Sequence, residues 1–301
     1  MSFRVLSRLV NSTTFDIKSL MGLSLIGIIL GCTPKNDPTP ATSLDYDLNE
    51  QTLIQAGWTK SFEESFDADF SKWNIWEGGA FNNEYQCYTA NNSNVEITNG
   101  VLKITAVKEN ITGKTTPFNS TQKSFEFSSA RLESKSSYSA SVSTPMVRYS
   151  ARMKLASGYG MWPAFWAYGA DWPTNGEIDV IESKGHLPFQ YATNYFYGTS
   201  AGTNLVSGAE GQVTSTIDLT QYWHVYEVIW EEHQLTYMFD GQIVKTLTSS
   251  STAGQYIDDM FGKTQNIVVN LAVGGDYFQN PDPATIVTGS MQVDWVKVFT
   301  K

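Results

Sequence analysis

Histidine and cysteine are scarce in this 301-residue chain, with three of the former and two of the latter. Cys32 and Cys87 cannot make a disulfide scaffold. His186, His224 and His233 show no His-x-x-x-His spacing, which leaves little room for histidine-based metal or triad chemistry. Basic charge is also short. Twenty Lys and Arg stand against 30 Asp and Glu, a formal net charge of −10, so the basic face of a nucleic-acid binder is missing. No Gly-rich phosphate loop occurs. Sustained helical periodicity is nearly absent, apart from a turn that fits around residues 255–261. The longest apolar run, Leu20 to Leu30, is too short to span a bilayer.

That run follows Arg4, Arg8 and Lys18 and stops at Gly31-Cys32, the pattern of an export signal. Ile29-Leu30-Gly31-Cys32 resembles a bacterial lipobox, so residues 1–32 are expected to be a lipoprotein-type signal peptide ending at a lipidated Cys32. The alternative is an ordinary secretory signal with an incidental Cys. Pro34, Pro38 and Pro40 make residues 33–48 a spacer. The expected location is the outer membrane or cell surface, or else the periplasm or medium, with the membrane touched only through the lipid.

Residues 49–301 read as one domain of many short strands. Val95-Glu96-Ile97 and Val101-Leu102-Lys103-Ile104-Thr105 flank Asn99-Gly100, a strong hairpin signal. Leu235 to Phe239 and Gln242-Ile243-Val244 flank Asp240-Gly241 in the same way. Val147 to Leu155, Ile267 to Leu271 and Met291 to Val298 continue the pattern. These features predict an all-β, jelly-roll sandwich of two antiparallel sheets. The polar stretches 109–123 and 198–215 read as long loops.

What is abundant is aromatic, with nine Trp and 15 Tyr, and one acidic strand stands out. In Gly176-Glu177-Ile178-Asp179-Val180-Ile181-Glu182-Ser183, alternation puts Glu177 and Asp179 on one face. Strict alternation would send Glu182 into the apolar side, where an unpaired carboxylate is costly. A β-bulge at Val180–Ile181 returns all three acids to one face. Glu177 and Glu182 are then roughly 13 Å apart at Cα, from about four steps of about 3.3 Å. Inclined side chains close this to about 5–6 Å, near the separation used by retaining glycosidases. A polar face kept for solubility, or a calcium cluster, would give the same acids. The context favours catalysis. Upstream, Trp162 and Trp166 point the same way with small Ala164 between them, and Trp172 follows, which floors a groove for sugar rings beside paired carboxylates.

Taken together, Asn82-Asn83-Glu84, Ser129-Ala130-Arg131, Gly160-Met161-Trp162-Pro163-Ala164-Phe165-Trp166, the bulged acid run, Asn270 to Gly275 and Val293-Asp294-Trp295-Val296 resemble glycoside hydrolase family 16. The likeness is to its laminarinase-like branch of endo-β-1,3-glucanases, and it covers most of residues 60–300. The resemblance implies a concanavalin-like jelly roll with a concave cleft. It implies Glu177 as nucleophile, Glu182 as acid/base and Asp179 as the group that hydrogen-bonds the nucleophile. It implies Asn83 and Arg131 as sugar-binding residues on the glycone side. No cofactor is needed for catalysis. A structural calcium ion would be held through Asp294 and Gly100, although the family's Asp-Glu-Phe appears here as Glu64-Ser65-Phe66. Phe196 stands where a His is usual, and Asp276-Tyr277 where Asn-Trp is usual. The implied partner is a neutral β-glucan, and the chain is expected to act as a monomer.

Other readings have to be weighed. A mixed-linkage β-1,3-1,4-glucanase, or another β-glycan hydrolase, fits the same motifs. A non-catalytic glycan-binding lipoprotein would use the same fold, but has no need of both Glu177 and Glu182. Gly198-Thr199-Ser200-Ala201-Gly202 matches a nucleophile elbow, yet no helix signal follows it.

Overall fold

The structure, a computed structural model, describes residues 44–301. The expected signal peptide with Cys32, and the spacer through residue 43, lie outside the described residues. The body is a two-sheet jelly-roll sandwich. One sheet has ten strands. Its main path runs Gln242–Thr248, Gln234–Phe239, His224–Glu231, Val147–Lys154, Gly289–Thr300, Val101–Thr116, Asn119–Ser129 and Gln86–Tyr88. The other sheet has seven, in the order Gly211–Thr214, Gln190–Phe196, Glu177–Glu182, Met161–Tyr168, Gln265–Val273, Arg131–Tyr138 and Trp73–Ile75. Alternate residues of both sheets meet in one core. Val228, Val296 and Val298 belong to it from the first sheet, and Phe165, Ile178 and Val269 from the second. Burial of such side chains is the main force holding the layers together.

Both predicted hairpins form. Val95–Thr98 pairs with Val101–Thr116, and Gln234–Phe239 with Gln242–Thr248. Their two-residue turns, Asn99-Gly100 and Asp240-Gly241, have positive φ throughout, at 53° and 73° and at 49° and 74°. That is the left-handed backbone Asn, Asp and Gly tolerate. The expected helical turn is Ile257–Met260.

Two expectations are corrected. Residues 109–123 are not a loop but the outer half of a hairpin arm, Val101–Thr116 against Asn119–Ser129, turning at Pro117-Phe118. Its outer residues are largely exposed on both faces, so no apolar alternation announces the strands. The end of the spacer, residues 45–48, is docked on the domain. Trp223 N donates to Asp45 Oδ1 (2.8 Å), Tyr46 N to Trp223 O (2.8 Å) and Arg152 Nε to Tyr46 O (2.7 Å). The Glu50–Gln55 helix follows, capped by Asn49, and Leu53 and Trp58 pack on Phe299. The globular unit therefore starts before residue 49. In the other long polar stretch, only Gly211–Thr214 forms a strand.

Of the expected calcium ligands, the Asp294 side chain is already engaged within the protein. Asp294 Oδ2 accepts from Arg152 Nη1 at 2.6 Å, so a guanidinium already neutralises that carboxylate. The family's upstream acidic position, Glu64, is buried and accepts from Phe66 N (2.9 Å) and Trp73 Nε1 (3.2 Å). Gly100 could offer only backbone oxygen. Calcium needs several free oxygen ligands at once, and among the described residues no cluster of three acidic, His or Cys side chains could hold a metal.

Candidate active site

The strand Glu177–Glu182 lies between Met161–Tyr168 and Gln190–Phe196. Against the first neighbour, Asp179 pairs with Trp166 and Ile181 with Phe165. Two steps on one strand face one step on the other, which is a bulge with Val180 as the extra residue. Ile178, Val180 and Ile181 are buried in the core. Glu177, Asp179 and Glu182 all line a cleft of about 860 Å³ on the outer face of the seven-stranded sheet.

Register explains the shape of this cleft. Ala192, Glu182, Ala164, Asn270 and Arg131 form one cross-strand rung. Alanine on both sides of Glu182 leaves room above its carboxyl. Phe196, Glu177, Tyr168 and Asn266 form a second rung, and Asp179 sits between the two beside Trp166.

Each outer acid is held by an indole. Trp172 Nε1 donates to Glu177 Oε2 at 2.7 Å, and Trp162 Nε1 to Glu182 Oε1 at 3.0 Å. Trp166 Nε1 donates to Asn270 Oδ1 at 2.7 Å. Arg131 is buried with its guanidinium over Trp76 (4.0 Å to the ring centre) and Trp166 (4.7 Å). All four predicted aromatic and basic residues, Arg131, Trp162, Trp166 and Trp172, line the cleft. Asn83 does not. Its amide is spent on Asp276, at 3.0 and 3.1 Å, while its neighbours Asn82 and Glu84 line the cleft instead.

Burial pushes all three acids above the usual carboxylate range, and the charge of Glu182 adds to it at Glu177 and Asp179. Asp179 is held well above that range, first by burial, then by the charges of Glu177 and Glu182. It therefore keeps its proton and shares a hydrogen bond with Glu177. Glu177 is raised by burial and by Glu182, but three groups oppose this: the Trp172 N–H, the Arg131 charge and the bond to Asp179. Glu182 is raised by burial with only the Trp162 N–H opposing, and Glu210 and Glu84 push it further. Both outer acids are raised, Glu177 to about 8 and Glu182 to about 7, so the pair holds a proton near neutral pH.

Sequence reasoning assigned no role to Trp76, Glu84, Tyr168 or Asn270, all of which line the cleft. Tyr168 continues the parity of Trp162, Ala164 and Trp166, and Asn270 interrupts an apolar run; both signals were readable. Glu84 accepts from Gln86 Nε2 at 2.6 Å, and burial raises it to about 7. The two departures from the family pattern prove to be packing partners. The Phe196 ring packs against Trp172 at 6.1 Å, and Tyr277 stacks on Trp162 at 4.5 Å.

The rival elbow does not form a triad. Ser200 is exposed in a tight turn bridged to Thr203, with no helix after it. His224 pairs with Asp240 (2.8 Å) within the ten-stranded sheet, and His233 with Asp258 (3.0 Å). Both histidines thus have acid partners that the sequence did not reveal, but none of these groups lines the cleft.

The sequence profile of Glycosyl hydrolases family 16 matches residues 81–297. A glucan endo-1,3-beta-glucosidase of Cryptopygus antarcticus is 30% identical over 268 residues, 82% of this chain and 94% of that protein. Glucan endo-1,3-beta-glucosidase A1 of Niallia circulans is 29% identical over 88% of this chain, which spans only 41% of that longer relative. The crystal structure of an endo-beta-1,3-glucanase from Pyrococcus furiosus superposes with a TM-score of 0.67 at 30% identity, covering 81% of this chain and 94% of that one. The buried acid pair, its indole donors and these likenesses converge: the chain belongs to glycosyl hydrolase family 16 and is a glycosidase.

Proposed function

We propose that this chain is a retaining, endo-acting hydrolase of β-1,3-glucan. The observation that carries the reading is the pair of buried carboxyls, Glu177 and Glu182, brought to one face by the bulge at Val180 and each gripped by a tryptophan of an aromatic cleft. Protonated Glu182 gives its proton to the glycosidic oxygen as that bond breaks. Glu177 attacks the anomeric carbon and forms a glycosyl ester. Protonated Asp179 donates to Glu177 and stabilises its charge before attack and again on release. With Glu177 esterified, one negative charge is gone, so Glu182 is free to ionise and take a proton from the incoming water. The names of the relatives, and a cleft open to a polymer on its lining of Trp76, Trp162, Trp166 and Trp172, support β-1,3-glucan as the substrate.

Laminarin incubated with the protein should release reducing ends with retained anomeric configuration, read by NMR of the first products. Glu177→Gln and Glu182→Gln should each lower turnover by about a thousandfold or more while the fold persists. Full activity of Glu182→Gln on laminarin would overturn the assignment. For the leader, we propose export and lipid anchoring through Cys32, placing the domain at the cell surface. Metabolic labelling with palmitate should mark the full chain and not its Cys32→Ala variant.

A further inference from the structure

The hairpin arm carries the most exposed aromatic residue of the cleft. Phe118, at the turn between Val101–Thr116 and Asn119–Ser129, is 80% exposed, and Phe81 is 57% exposed. Both line the same cleft as the acids. Phe118 stands edge-on to Trp76 at 5.3 Å between ring centres, and Trp76 in turn lies 4.0 Å from the Arg131 guanidinium. A continuous row, Arg131, Trp76, Phe118, thus leads from the centre of the cleft to the arm's tip.

The tip is held in place rather than hung in solvent. Gly79 N donates to Lys114 O at 2.8 Å, and Trp76 Nε1 donates to Gly79 O at 3.1 Å. A Cβ on Gly79 would come within 2.5 Å of Thr115 O and 2.7 Å of the Phe125 ring. The backbone of the arm therefore rests directly on the 78–79 segment, a closeness only glycine permits. An exposed aromatic pair costs solubility unless something covers it. Here the pair continues a sugar cleft, and the faces of pyranose rings pack on aromatic side chains.

We propose that Phe118, together with Phe81, forms a distal subsite that binds a glucose ring of the chain beyond Arg131 and Trp76, so that the arm selects for longer glucans. This rests on the β-1,3-glucan reading above. The test compares the full protein with Phe118→Ala and Phe118→Trp on laminarihexaose and laminaritriose. Phe118→Ala should lower kcat/KM about tenfold on the hexaose, through KM with kcat little changed, and by about twofold or less on the triose. Phe118→Trp should restore the hexaose value, and thermal melts should show all three proteins folded. Equal losses on both oligosaccharides, or no loss on either, would overturn the subsite and leave the function standing. A wild type that cleaves neither laminarin nor the hexaose would overturn both.

Discussion

Trp172 and Trp162 make equivalent contacts with opposite kinetic consequences. Each donates an N–H to one of the two outer acids, and each such bond favours the ionised form and so lowers the pKa of its acid. Trp172→Phe removes the donor from Glu177, which must be ionised to attack. The nucleophile then binds its proton more tightly, and the acid limb of the kcat/KM profile should move up by about one pH unit. Trp162→Phe does the same to Glu182, which must be protonated, so the alkaline limb should move up instead. Loss of sugar stacking would lower the height of both profiles but not displace one limb alone. Profiles with both limbs in place would refute the indole roles. At this scale the sequence was informative about chemistry and silent about reach. The three acids sit within six residues, so strand geometry alone groups them. Asn83 looked equivalent to Arg131 by motif, yet its amide faces Asp276 across 193 residues of chain, and no local pattern encodes such a partner.

The decisive element is the bulged strand. Its extra residue, Val180, sets the side on which Glu182 emerges. Deleting Val180 should turn either Glu182 or the Glu177–Asp179 pair into the core, with the apolar neighbours turned outward. We expect loss of activity together with about 3 kcal/mol or more of stability, seen as a fall of several degrees in Tm. An active, equally stable deletion variant would contradict the role of the bulge. This bulge was legible because a strand of Ile and Val can place three acids on one face only by breaking alternation. The hairpins at Asn99-Gly100 and Asp240-Gly241 were legible from turn chemistry. The arm that ends at Phe118 was not. It carries Lys, Thr, Gln and Asn on both faces and is held by backbone pairing and by close contact at Gly79, neither of which leaves a hydrophobic period to read.

At the scale of the whole molecule, the cleft is a thermodynamic burden. Glu84, Glu177, Asp179 and Glu182 all bind protons more tightly in the folded protein than at their ordinary values. Across the range from the usual carboxylate value of 4.5 to about 7 for Glu84, the native state holds more protons than the unfolded chain. Their contribution to stability is thus fully present below that range and is lost as pH rises through it. Asp179→Asn removes one of these groups and one repulsion. Its Tm should fall less than that of the wild type between about pH 5 and about pH 8. Identical pH dependences would refute the burden.

The clasp formed by residues 45–58 decides on which face of the sandwich the chain enters the body. Asp45 and Tyr46 hold Trp223 and Arg152, Trp295 Nε1 donates to Asp47 Oδ1, and Trp58 packs on Phe299, all of them on the ten-stranded sheet or its edge. The catalytic mouth opens from the other sheet, so the chain enters the body on one face of the sandwich and the cleft faces away from that entry.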